Sequence, residues 1–225
     1  MKRFAVIVIA LLAMVALVAG CGGGGGGTAT ITPTSATIRQ LSIGDQVIYS
    51  ATGIATDGTN TSQISGTITM TVHSNSRTPI YGNRALEIVT EVNATYNGMP
   101  VMYTNTGLIE QASDGTMYDL GIVGESLVSS TSPPVMYPSP TATGQAFSYT
   151  GTYSNGETYT HYYNVVDVEN VAGYQSYKVH GSSTDGYAGD DWFVPDLGMP
   201  VKITSRTMDG GVLINLVGTL RSKNF

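Results

Sequence analysis

The chain has 225 residues, a formal net charge of −6, and only 12% charged residues against 41% hydrophobic. Its basic residues are scattered, which excludes the electrostatic footprint of a nucleic-acid binder. A single cysteine, Cys21, excludes an internal disulfide framework.

Met1-Lys2-Arg3 precede an apolar run from Phe4 to Val18, followed by Ala19-Gly20-Cys21. Basic residues, a short apolar stretch and small residues in that order form an export signal. The run is shorter than the roughly 20 residues that a membrane-spanning helix needs. Val18-Ala19-Gly20-Cys21 resembles the lipobox of bacterial lipoproteins. That resemblance implies transfer of a diacylglyceryl group to the Cys21 thiol, cleavage just before it, and tethering to a membrane through the lipid. Loss of Lys2 and Arg3 takes the formal charge from −6 to −8. Gly22 stands where an aspartate would signal retention in the inner membrane. The resemblance therefore implies the outer membrane where the organism has one, and otherwise the outer face of the cell membrane.

Gly22 to Gly27 is an unbroken glycine run, followed by a Thr-rich stretch. Glycine loses the most entropy on folding, so this segment forms no stable element by itself. Residues 21–40 read as the lipidated cysteine and a flexible tether, spanning on the order of 25 Å as a random coil. Residues 41–225 then form the folded part.

From Leu41 onward, Asp57-Gly58, Asn97-Gly98, Asp114-Gly115, Asn155-Gly156, Asp185-Gly186 and Asp209-Gly210 punctuate the chain as turn dipeptides. Strands are predicted between them, beginning with Gln46–Thr56. Thr67 to His73 alternates, with Ile68, Met70 and Val72 on one face, as a half-buried strand does. Further strands are predicted at 85–96, 101–111, 116–123, 146–154, 158–168, 174–182, 191–194, 201–206 and 212–220. No long stretch shows helical periodicity with caps. The expected class is all-β and antiparallel, either one curved sheet or half-barrel, or two related β lobes.

Residues 126–140 are rich in Ser and Pro, too rich in Pro for a central strand, and read as a surface connector. The chain resembles itself on either side. Gly44-Asp45-Gln46-Val47-Ile48-Tyr49 matches Gly144-Gln145-Ala146-Phe147-Ser148-Tyr149 at an offset of 100. Residues 43–124 and 143–221 are candidate repeat halves.

No nucleophile elbow, zinc-protease helix, phosphate loop or Ser-x-x-Lys pair occurs, so the expectation is a non-enzyme. No cofactor is implied. His73 falls on the polar face of its strand, and His161 lies among tyrosines. Asp185, Asp190, Asp191 and Asp196 form an acidic cluster that could wrap Ca²⁺, although their spacing is not that of an EF-hand loop and a solvated hairpin is the favoured reading. Trp192, Phe193 and Met199 are candidates for lining a ligand cavity, or for plain core.

The run Trp192-Phe193-Val194-Pro195-Asp196-Leu197-Gly198-Met199-Pro200-Val201-Lys202, with Gly44-Asp45 and Tyr49 at the opening, resembles uncharacterised secreted bacterial β-rich proteins and lipoproteins. Some of these look like the half-barrel superfamily that includes lipoprotein carriers, in which a curved sheet cups an acyl chain. The partners implied are a membrane, through the lipid anchor, and a lipid or another envelope component. A purely structural envelope module is the alternative, and a hydrolase the least favoured reading.

Overall fold

The computed structural model describes residues 36–127, 134–209 and 211–225. The export segment, Cys21 and the glycine run lie outside them. Thirteen strands follow in order: β1 (Gln46–Thr56), β2 (Thr61–Ser74), β3 (Arg84–Tyr96), β4 (Met99–Gln111), β5 (Met117–Ile122), β6 (Ser126–Leu127), β7 (Val135–Tyr137), β8 (Ala146–Tyr153), β9 (Thr158–Val171), β10 (Tyr174–Ser183), β11 (Ala188–Val194), β12 (Met199–Asp209) and β13 (Val212–Lys223). The described part contains no helix.

The predicted antiparallel curved sheet is present, and it curls beyond a half-barrel. The order β4-β3-β2-β1-β13-β12-β11-β10-β9-β8-β6-β5 returns to its start because β5 also pairs with β4. Twelve strands thus form a nearly closed ring, and β7 pairs with β5 beside it. Closure is uneven. β1 matches β13 from Val47↔Lys223 to Thr56↔Leu213, whereas β6 joins β5 and β8 through two residue pairs each.

Period-two patterning explains which way each strand faces. In β1, Val47, Tyr49, Ala51 and Ala55 are buried; in β2, Ile64, Ile68, Met70 and Val72 are buried. The intervening Thr67, Thr69 and Thr71 are partly exposed. Small residues let the sheet curl. A Cβ on Gly66 would fall 2.2 Å from the Asn93 carbonyl oxygen, so β2 and β3 approach more closely there than a side chain permits. The turn between β3 and β4 is Asn97-Gly98, both at positive φ (50° and 73°), the geometry that favours Asn-Gly in two-residue hairpins.

The two halves open alike. Gly44 N–H donates to the Val72 carbonyl (2.8 Å) and Val72 N–H to that of Asp45 (2.9 Å). In the second half, Gly144 N–H donates to Val165 (2.7 Å) and Val165 N–H to Gln145 (2.9 Å). The side chain of Asp45 accepts from Ser42 N–H (2.7 Å), and that of Gln145 from Ala142 N–H (2.8 Å).

Two sequence expectations need correction. The tether does not run to residue 40: residues 36–41 form a packed strap across one end of the barrel. Ile38 and Leu41 are buried, Ala36 bridges Thr141, Arg39 N–H donates to Pro195, and Leu41 N–H donates to the Gln111 side chain. Arg39 also pairs with Asp45 at 2.5 Å. Apolar side chains at positions 38 and 41 overcome the loop-like composition because the barrel end offers them a surface to cover. Nor does the Ser/Pro connector stay on the surface throughout. Ser126 and Tyr137 are buried, because the short β6 and β7 supply the pairing that β5 and β8 otherwise lack.

Candidate functional site

Inward positions of β5, β7, β8, β9 and β11 converge on a buried polar cluster. Alternation along β9 places Tyr159, His161 and Tyr163 on the inner face, and alternation along β8 places Tyr149 opposite them. Tyr149 donates its hydroxyl hydrogen to Asp119 on β5. The Tyr149 and Tyr163 hydroxyls lie 3.2 Å apart, and both reach His161 Nδ1, at 3.1 and 3.3 Å. Tyr137 donates to Asp191 on β11 and stacks on Phe193 with centroids 4.0 Å apart. Tyr49 donates to the Pro200 carbonyl at 2.9 Å.

Burial governs the protonation of this cluster. It pushes the Asp119 carboxyl above its ordinary range, against the opposing hydrogen bonds from Tyr149 and Gly121 N–H. It pushes Asp191 well above that range, with the hydrogen bond from Tyr137 opposing and the charge of Asp190 adding. The hydroxyls of Tyr49, Tyr137, Tyr149 and Tyr163 are likewise raised well above the usual value, first by burial and then by nearby acidic charge. His161 is lowered to about 4 by burial, partly offset by the charge of Asp185, so its ring is neutral at pH 7. His161 Nε2 and Asp191 Oδ1 have no hydrogen-bond partner among the described residues. Chemically the cluster holds carboxyls, hydroxyls and a neutral imidazole in a buried interior.

A cavity of about 70 Å³ adjoins this cluster at the strap end. Met70, Met117, Met136 and Met199 line it, with Asp119 and Tyr163. A wider open groove of about 480 Å³ lies at the seam, bounded by Arg77, Glu125, Ser126 and Tyr153.

The residues singled out from sequence separate. Met199 lines the cavity, and Phe193 stands one ring behind it, against Tyr137. Trp192 is on the opposite face of β11. It is buried there beneath Lys202 and Lys178, whose ammonium groups lie 4.0 and 5.2 Å from its ring, and its Nε1–H donates to Glu169 at 2.8 Å. The four aspartates do not come together. Asp191 points inward to Tyr137, and Asp190 points outward to Lys178 at 3.4 Å. Asp185 accepts from Tyr153, and Asp196 is exposed. Among the described residues, no three His, Cys, Asp or Glu side chains form a group able to hold a metal ion. His73 is exposed, His180 faces Asp190 at 3.4 Å, and His161 sits among Tyr149, Tyr159 and Tyr163. Cys21 is outside the described residues.

Sequence reading passed over Asp119, Tyr137, Tyr149 and the convergence of the methionines. One signal was available: Tyr159, His161 and Tyr163 occupy alternate positions, which put three ring-bearing side chains on a single strand face. A buried Glu110, which could pass for a functional carboxylate, is explained structurally. It accepts from the backbone N–H groups of Ile80, Tyr81 and Asn83 and so anchors the loop between β2 and β3. In comparisons with known proteins, the chain matches no protein-family model, no curated protein and no solved structure.

Proposed function

We propose that the protein is a lipid-tethered, non-catalytic module of the bacterial cell envelope, outer-membrane where the organism has such a membrane. On this reading it engages another envelope component through its exterior. It does not carry an acyl chain inside. The observation that carries this reading is the filled barrel: the cavity is about 70 Å³, far below the roughly 300–1,000 Å³ of sites that enclose a sizeable ligand. The anchor rests on Val18-Ala19-Gly20-Cys21. The non-catalytic part rests on the sealing of His161, Asp119 and their tyrosines away from solvent. The seam groove beside Arg77 and Tyr153 is the place for an external contact. A purely structural module draws on the same filled interior.

Two measurements test the proposal. Metabolic palmitate labelling with membrane fractionation should show label and sedimentation for wild type, and neither for Cys21→Ala. Two or more acyl chains give stable attachment, whereas one is marginal. Mass spectrometry of the purified protein should find the covalent lipid and no stoichiometric free lipid. Labelled, sedimenting Cys21→Ala protein would remove the anchor, and copurifying acyl lipid would replace the external-contact reading with a carrier.

A further inference from the structure

Seven methionines fall in the described residues, and four of them, Met70, Met117, Met136 and Met199, surround one cavity. They come from four strands, β2, β5, β7 and β12, and are separated in sequence by as many as 129 positions, so only closure of the barrel assembles them. Met70, Met117 and Met199 are buried. The terminal methyl of Met117 reaches to within 3.5 Å of where a Cβ on Gly198, another wall residue, would stand.

The remaining wall is aliphatic, apart from Asp119, Tyr137 and Tyr163. Those three turn their polar atoms to one another's neighbours: Asp119 accepts from Tyr149 and Gly121, Tyr137 donates to Asp191, and Tyr163 meets Tyr149 and His161. A water molecule needs two to four polar partners, and this lining has few to spare. The guest that suits such a wall is either apolar or soft. Thioether sulfur is a soft ligand that selects Cu(I) over harder cations.

We infer that the methionine-lined cavity is a binding site for one soft monovalent cation, Cu(I) or Ag(I), held by thioether sulfurs. This goes beyond the envelope-module reading and does not depend on the lipid anchor. Leu41 of the strap is part of the wall.

The test is a titration of the full chain carrying Cys21→Ser, so that no thiol competes, with Ag(I), and with Cu(I) under anaerobic conditions against a chromophoric competitor. The expected result is one equivalent bound, with X-ray absorption showing sulfur scatterers near the metal. Leu and Met have similar volume, so Met70→Leu/Met117→Leu/Met199→Leu conserves packing. That variant should unfold at a similar temperature and bind at least 100-fold more weakly. A control, Met99→Leu/Met102→Leu, removes two exposed methionines and should bind as the parent does. Equal binding by the triple variant, or no uptake by the parent, overturns the proposal. Should the triple variant unfold early, Met117→Leu alone, read by absorption spectroscopy for loss of a sulfur scatterer, decides the question. Uptake of xenon with no uptake of metal would mark the cavity as merely apolar.

Discussion

Tyr137 donates its hydroxyl hydrogen to Asp191, a residue 54 positions away on the inner face of β11. This contact ties the segment that links the two halves to the barrel interior. Tyr137→Phe keeps the stack on Phe193 and leaves the second oxygen of a buried carboxyl without a partner. Its cost should be about 1–3 kcal/mol, the desolvation penalty of a group stripped of its bond. Denaturant unfolding of the two proteins measures it, and an unchanged midpoint would mean that the hydroxyl contributes nothing.

Stability should depend on pH in two opposed ways. Asp119 and Asp191 are raised by burial, so their contribution is complete below the unfolded carboxylate value of about 4 and is lost as pH rises through their folded values. His161 is lowered to about 4. Its contribution is present above the unfolded value of about 6.5 and is lost as pH falls toward 4. Thermal melts from pH 4 to 9 should show Asp191→Asn flattening the fall that accompanies rising pH and His161→Gln flattening the fall toward pH 4. Identical profiles for wild type and both variants would contradict the assignment.

Trp192 is a structural residue on the outer face. Truncation to Ala should cost roughly 3 kcal/mol, near the lower end for a buried Trp, because Lys178 and Lys202 can settle over the gap. Trp192→Phe keeps the packing and loses the bond to Glu169, so its cost should be nearer 1 kcal/mol. Equal costs for the two substitutions in urea titrations would show that the indole N–H outweighs the ring.

Ala172 sits in the turn between β9 and β10 at φ 53°, followed by Gly173 at φ 83°. A left-handed conformation costs an alanine about 1–2 kcal/mol, whereas Asn adopts it with local hydrogen bonding. Ala172→Asn should therefore stabilise the protein by about 0.5–1 kcal/mol, seen as a higher melting temperature. A lower melting temperature would show that the Ala172 methyl makes a contact worth more than the relief of strain.

The strap should behave as core. Leu41→Ala removes a buried side chain that walls the cavity, and should cost about 2–5 kcal/mol. Deletion of Gly22–Gly27 should leave the melting temperature unaltered, because glycine has no side chain to pack. A loss of several degrees on that deletion would place the glycines against the folded part.

Strand positions were legible where side-chain alternation and turn chemistry agreed. Gln46–Thr56 was predicted with the bounds it has in β1, and the turns at Asp57-Gly58 and Asn97-Gly98 fall between paired strands. Ala172-Gly173 carries no such signal, since alanine rarely occupies a left-handed turn, and the end of β9 was consequently drawn short. Ring closure was not legible either. It depends on two-residue pairings of β6 that no periodicity records. The interior cluster escaped for the same reason. Asp119 and Tyr137 carry no signal singly, Asp191 reads only as part of an acidic cluster, and only the register of distant strands brings all three to one interior.

The pairing of β1 with β13 also governs how the chain must fold. The first long strand finds one of its two neighbours only in the last strand of the sheet, so sequence-distant ends must meet before the barrel can close. Such non-local closure is slow, because loop entropy is lost before any contact compensates for it. A chain interrupted before Val212 would expose the bare edges of β1 and β12 facing each other, open to strands of other molecules. A protein built this way is best kept extended until it is whole, and segmental fragments of it should precipitate where the complete chain does not.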